Sequence, residues 1–154
     1  MPVKQIVIEA VTAAGDWSGS LTQADIDSAA AIVSAETGAH GEVALALADD
    51  ALLRQLNRDY RGKDKPTNVL SFPSGEGDFL GDVAMSRETL VREALEQGKD
   101  ERSHALHLLV HGILHLLGYD HETDKQADAM ESLERRILEK LGIEDPYGDQ
   151  PQAH

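Results

Sequence analysis

His104–His121 reads HALHLLVHGILHLLGYDH and carries five of the seven histidines in the chain. Leu106, Leu108, Leu109, Val110, Ile113, Leu114, Leu116 and Leu117 leave this run almost no polar face apart from the histidines. A helix that is apolar nearly all round belongs in the middle of a domain. The pattern therefore predicts a central buried helix, capped at its start by Asp100, with the rest of the chain packed around it. At about 100° per residue, His104, His107, His111 and His115 fall within one face of roughly 80°. His111 and His115 lie one turn apart, about 6 Å along the axis, so that two imidazoles can meet on one ion. Gly118 supplies the left-handed residue that ends a helix, and His121 follows three positions later. This is the spacing H-x-x-x-H-x-x-G-x-x-H of metzincin zinc sites. Gly112, however, stands where the protease glutamate belongs.

Three imidazoles at His111, His115 and His121 suit zinc, with nickel or another divalent ion as alternatives. If only these three bind, a coordination position stays open, as in catalytic zinc sites. A closed structural site with Asp120 or His107 as fourth ligand is the competing reading. His107 is expected to line the approach and His104 to be ordinary packing. Without a glutamate after His111, the peptidase route lacks its general base.

Upstream, the pattern predicts a strand over Val3–Glu9, then a helix capped by Thr22 that runs to Thr37 and stops at Gly38. EVALALA (42–48) alternates as a strand. Asp49 or Asp50 caps a helix that ends near Tyr60, and Gly62 and Pro66 bracket a loop. NVLSF (68–72) is a strand that Pro73 is expected to stop, and GDVAMS (81–86) is its hairpin partner. Ser86 caps a helix to Gln97. Thr123 and Gln126 form a capping box for a last amphipathic helix through Leu141. The expected fold is α+β: a small mixed four-stranded sheet with about five helices around the histidine helix. We expect a single domain over 1–154, with 144–154 a flexible tail.

The chain has no cysteine, 14 basic and 28 acidic residues, and a net charge of −14. Thiolate ligands and disulfides are excluded, and the overall charge opposes a polyanionic partner. Residues 54–65 (RQLNRDYRGKDK) depart from this, with five basic against two acidic side chains. This basic loop can hold a phosphate, with Arg61 gripping it in a bidentate way. A metal site beside an arginine suits phosphodiester cleavage better than peptide hydrolysis. Asp120, Glu122 and Asp82 are candidate acid/base groups. No signal peptide and no run of membrane-spanning length is present, so a cytoplasmic location with no membrane association is expected.

HGILHLLGYDH (111–121), LNRDYRGKDKPTNVLSFP (56–73) and LGDVAMS (80–86) together closely resemble the YbeY-type bacterial endoribonucleases, or rRNA maturation factors. The resemblance spans about residues 42–147. It implies that His111, His115 and His121 bind one zinc ion and that Arg61 faces the metal as a catalytic residue. From the basic segment and the histidine face, Arg61, Lys63, Lys65 and His107 are the expected substrate-binding residues. The implied function is single-strand-specific cleavage in maturation of the small-subunit rRNA 3′ end and in ribosome quality control. The implied partners are rRNA, the small ribosomal subunit, ribosomal proteins and an Era-type GTPase. The alternatives are a non-catalytic ribosome-assembly factor with a structural metal and, on ligand spacing alone, a metalloprotease.

Overall fold

The computed structural model describes residues 5–120 and 122–143. In chain order these form β1 (Ile6–Thr12), α1 (Gln23–Thr37), β2 (Gly41–Ala48), α2 (Asp50–Arg61), β3 (Val69–Glu76) and β4 (Phe79–Ser86). Three helices follow: α3 (Arg87–Gln97), α4 (Glu101–Leu116) and α5 (Asp124–Lys140). The four strands make one sheet in the order β1-β2-β4-β3, with β1, β2 and β4 parallel and β3 antiparallel to β4. The fold is α+β with a mixed sheet, as expected. The tail beyond residue 143 lies outside the described residues.

The helix ends follow local chemistry. Thr22 and Asp25 form a reciprocal capping box at α1, and Thr123 and Gln126 form another at α5. Asp49, Ser86 and Asp100 each accept a backbone N–H at the starts of α2, α3 and α4. These bonds satisfy donors that the first helical turn leaves without partners.

Helices cover both faces of the sheet. On one side α2 packs over a small cluster of Ala48, Leu53, Leu70 and Ala84. On the other, α1, α3, α4 and α5 close over the main core, with Ile6, Val43, Leu45, Val83 and Met85 from the strands. Helix α4 lies at the centre of that core, and Leu106, Leu109, Val110, Ile113 and Leu114 are fully buried. Each such side chain contributes about 1.5–3 kcal/mol of apolar burial. The helix is thus anchored along its length while its histidine face is left for other work.

Three local expectations need correction. Strand β1 begins at Ile6 and continues to Thr12, because its parallel register with β2 runs on to the pairing of Thr12 with Leu47. Residues 1–4, and Val3 with them, lie outside the described residues. Pro73 does not stop β3, which continues to Glu76. Among the described residues β3 is the outer strand and pairs with β4 on one side, so a residue lacking an N–H on the other side removes no bond of that ladder. Arg61 is not in a loop. It is the last residue of α2, with Gly62 in the left-handed conformation immediately after it (φ 71°).

Candidate metal and phosphodiester site

Helix α4 delivers His111 and His115 from successive turns to one point, with their Nε2 atoms 3.1 Å apart. The rings stand nearly perpendicular, at 77°. Two nitrogens bound to a tetrahedral zinc at 2.0–2.1 Å would lie roughly 3.3–3.4 Å apart. The pair therefore fits a shared divalent ion with almost no rearrangement. Among the described residues no group of three potential ligands converges. His121 lies outside the described residues. Asp120 and Glu122, on either side of it in sequence, both line the same cleft as the histidine pair. Gly118 has a left-handed backbone (φ 97°) and turns the chain at the end of α4.

That cleft has a volume of about 710 Å³. Arg61, at the end of α2, lines it together with His107, His111 and His115. Tyr119 and Asn68 contribute to its walls. The fold thus brings a guanidinium and a histidine pair to one cavity, although Arg61 and His111 are 50 residues apart in sequence. Lys63 and Lys65 are exposed on the turn after α2 and do not line the cleft. Asp82 is on the wrong face. Its neighbour Val83 packs against α4, and alternation along β4 sends Asp82 to the opposite side of the sheet, where it borders a separate groove with Glu9 and Tyr60. Of the three acid/base candidates, the cleft retains Asp120 and Glu122.

Two of the five cations of the basic segment are paired with its own two carboxylates. Arg54 makes a two-pronged ion pair with Asp64, at 2.7 and 3.1 Å. Hydrogen bonding from Arg54 holds the Asp64 carboxyl below its usual range. Arg58 pairs with Asp59 at 3.3 Å. Asn57 shapes the turn: it is buried, and its Nδ2 donates to the Lys65 carbonyl at 3.0 Å. The Lys63 N–H returns to the Asn57 carbonyl.

Two further networks stand behind the cleft. Glu134 of α5 is buried, with Oε2 2.9 Å from His107 Nε2 and 3.3 Å from His111 Nδ1. Burial pushes its carboxyl up, but the hydrogen bonds from His107 and His111 outweigh this and bring it down to about 2. The His107 Nε2 is therefore committed to Glu134. Near the start of α4, His104 Nε2 is 2.9 Å from Glu93 Oε1, and both oxygens of Glu93 accept from Asn68 Nδ2 at 3.0 and 3.2 Å. Burial lowers the His104 pKa, against the opposing pull of the Glu93 hydrogen bond. His104 is thus a brace between α3, α4 and the Asn68 wall of the cleft, beyond simple packing.

Glu134 is absent from the sequence-derived candidates, although the sequence carries a signal for it. Met130, Leu133, Ile137 and Leu138 form the buried stripe of α5, and Glu134 sits within it, four residues from both Met130 and Leu138. A charge inside an apolar stripe has to be matched by something facing it.

Comparison with known proteins places these features in a family. The family model for Endoribonuclease YbeY matches residues 16–142. The Endoribonuclease YbeY of Rhodopseudomonas palustris (strain BisA53) is 54% identical over 137 residues, covering 83% of this chain and 79% of that protein. The Endoribonuclease YbeY of Parvibaculum lavamentivorans is 48% identical over 162 residues, covering 95% and 87%. Among solved structures, the solution structure of TM1509 from Thermotoga maritima matches with a TM-score of 0.62 at 27% identity, covering 94% of this chain and 100% of that one. The chain belongs to the YbeY endoribonuclease family.

Proposed function

We propose that this protein is a zinc-dependent endoribonuclease that cuts single-stranded RNA and matures the 3′ end of small-subunit rRNA. The observation that carries this reading is the shared cleft, in which Arg61 lines the same cavity as the convergent pair His111 and His115. His111, His115 and His121 would hold the ion. Bound zinc supplies Lewis acidity toward a phosphodiester and acidifies water near neutral pH. Arg61 then grips non-bridging phosphate oxygens and stabilises the charge that builds on them during displacement. Asp120 or Glu122 exchanges the proton with the attacking or leaving oxygen. Gly112 supports a phosphodiester over a peptide substrate, because its Cα faces the sheet and offers no position for a protease glutamate.

The acidic chain and the ion-paired Arg54 and Arg58 favour modest intrinsic RNA affinity. Lys63 and Lys65, outside the cleft, would guide the strand toward it. The small ribosomal subunit, ribosomal proteins and an Era-type GTPase would supply the remaining affinity in the cytoplasm. Among the described residues no helix is long and apolar enough to cross a membrane. The test is His115→Ala, with zinc content, cleavage of single-stranded RNA and thermal melting followed together. Loss of zinc and cleavage with a folded chain is expected. Retained cleavage would overturn the proposal, and global unfolding would favour the assembly factor with a structural metal.

A further inference from the structure

Glu134 is a buried carboxylate whose position neither the sheet nor the core packing requires. A leucine would complete the apolar stripe of α5, yet the chain keeps a carboxyl group that is 1% exposed. Its partners explain it. A carboxylate can only accept, so both histidine nitrogens that reach it carry protons. His107 donates from Nε2 at 2.9 Å, and His111 donates from Nδ1 at 3.3–3.4 Å to the two oxygens. In a neutral imidazole the proton on Nδ1 leaves the lone pair on Nε2. That is the His111 atom lying 3.1 Å from His115 Nε2.

We infer that Glu134 is the positioning residue of the metal pair: it locks His111 in the Nδ1–H tautomer with Nε2 turned to the ion and ties up the Nε2 of His107. This rests on the reading of His111 and His115 as metal ligands. The anion behind His111 raises the basicity of the donor nitrogen and fixes the ring plane before the metal arrives. The same carboxylate engages His107 one turn earlier, which withholds that nitrogen from the ion. The site then keeps an open coordination position instead of closing on another α4 imidazole.

Glutamine is the informative replacement, since it matches glutamate in shape but has one acceptor oxygen in place of two. Its amide nitrogen would point a donor at one of two histidines that already donate, and one of them must change tautomer or turn away. The experiment uses the full chain, with zinc affinity measured by chelator competition on wild type and Glu134→Gln. Histidine ring ¹⁵N spectra of the metal-free wild type are recorded at about pH 8, above the ordinary imidazole range. Expected are a His111 proton on Nδ1 in the metal-free wild type and zinc binding about 10–100-fold weaker in the variant. Equal zinc affinity in the two proteins would overturn the inference, as would a His111 proton on Nε2. A wild type that binds no zinc would instead overturn the ligand reading, and this role with it. Should Glu134→Gln fail to fold, the wild-type spectrum still decides the tautomer.

Discussion

The Ser71 hydroxyl donates to the Gly112 carbonyl at 2.9 Å, drawing strand β3 against helix α4 at the point where the helix has no side chain. A Cβ at Gly112 would lie 3.1 Å from Val83 Cγ1, 3.2 Å from Ser71 Oγ and 3.2 Å from Val69 Cγ2. The glycine that replaces the protease glutamate is therefore a packing requirement of this fold. The histidine face of α4 opens to the cleft while the next residue rests on the sheet.

Gly112→Ala sets two effects against each other. Alanine gains up to about 1 kcal/mol of helix propensity over glycine. Overpacking in a core typically costs about 1–3 kcal/mol, and Val83, 1% exposed on an inner strand, has little freedom to yield. Chemical denaturation is expected to show a net loss of about 1 kcal/mol. Gly112→Glu, which restores the protease motif, is expected to abolish cooperative unfolding and to confer no peptidase activity.

Asn57 controls the turn that follows Arg61. Replacing it by leucine removes the 3.0 Å donor of the Lys65 carbonyl, a part-buried hydrogen bond of a kind that contributes about 0.5–1.5 kcal/mol. We expect Asn57→Leu to lose stability in that range and to expose the bond after Lys63 to trypsin. Unchanged proteolysis would show that the turn does not depend on Asn57.

His104 gives a pH dependence with a definite sign. Its folded pKa lies below the ordinary value of 6.5, chiefly through burial. The neutral ring is thus the form that folding favours, and protonation favours the unfolded chain. This contribution is fully present above pH 6.5 and is lost as pH falls through the lower folded value. In the presence of a chelator, which removes metal–proton competition, the melting temperature of wild type should fall more steeply below pH 6.5 than that of His104→Gln. Parallel curves would contradict the assignment.

Asp64 restrains the charge of the basic segment. Its pair with Arg54 is exposed on both sides, so solvent screens it and it adds little to stability. Asp64→Asn is expected to leave the melting temperature unchanged while freeing one cation. Binding of single-stranded RNA should tighten a few-fold, and its logarithmic salt dependence should steepen by up to about 0.7, one more phosphate contact. A weaker or unaltered RNA affinity would place the RNA path elsewhere.

What was legible in the chain was what local chemistry writes. Thr22 and Thr123 cap where their spacing to Asp25 and Gln126 says they should, and the apolar run of α4 predicts its central burial. The meeting of His111 with His115 follows from helical rise alone. The features that were misread depend on neighbours distant in sequence. Pro73 continues a strand because β3 is the outer one of the sheet, a fact of topology. Asp82 faces away from the cleft because β4 offers its other side to α4. Glu134 is recognisable only once α5 is laid against the histidine face, although its place in an apolar stripe was a warning.

On the proposed mechanism, Arg61 and the metal pair act on one phosphodiester in one cleft. Arg61 is exposed at a helix end, so Arg61→Ala should leave folding and metal binding untouched. The direct measurement is cleavage of a single-stranded RNA by wild type and Arg61→Ala, each with its zinc content determined on the same sample. The proposed mechanism requires equal zinc in both and a rate lower by about 10²–10³-fold in the variant, the range for removing one donor to a charge-bearing oxygen. Equal cleavage rates at equal zinc content would contradict it.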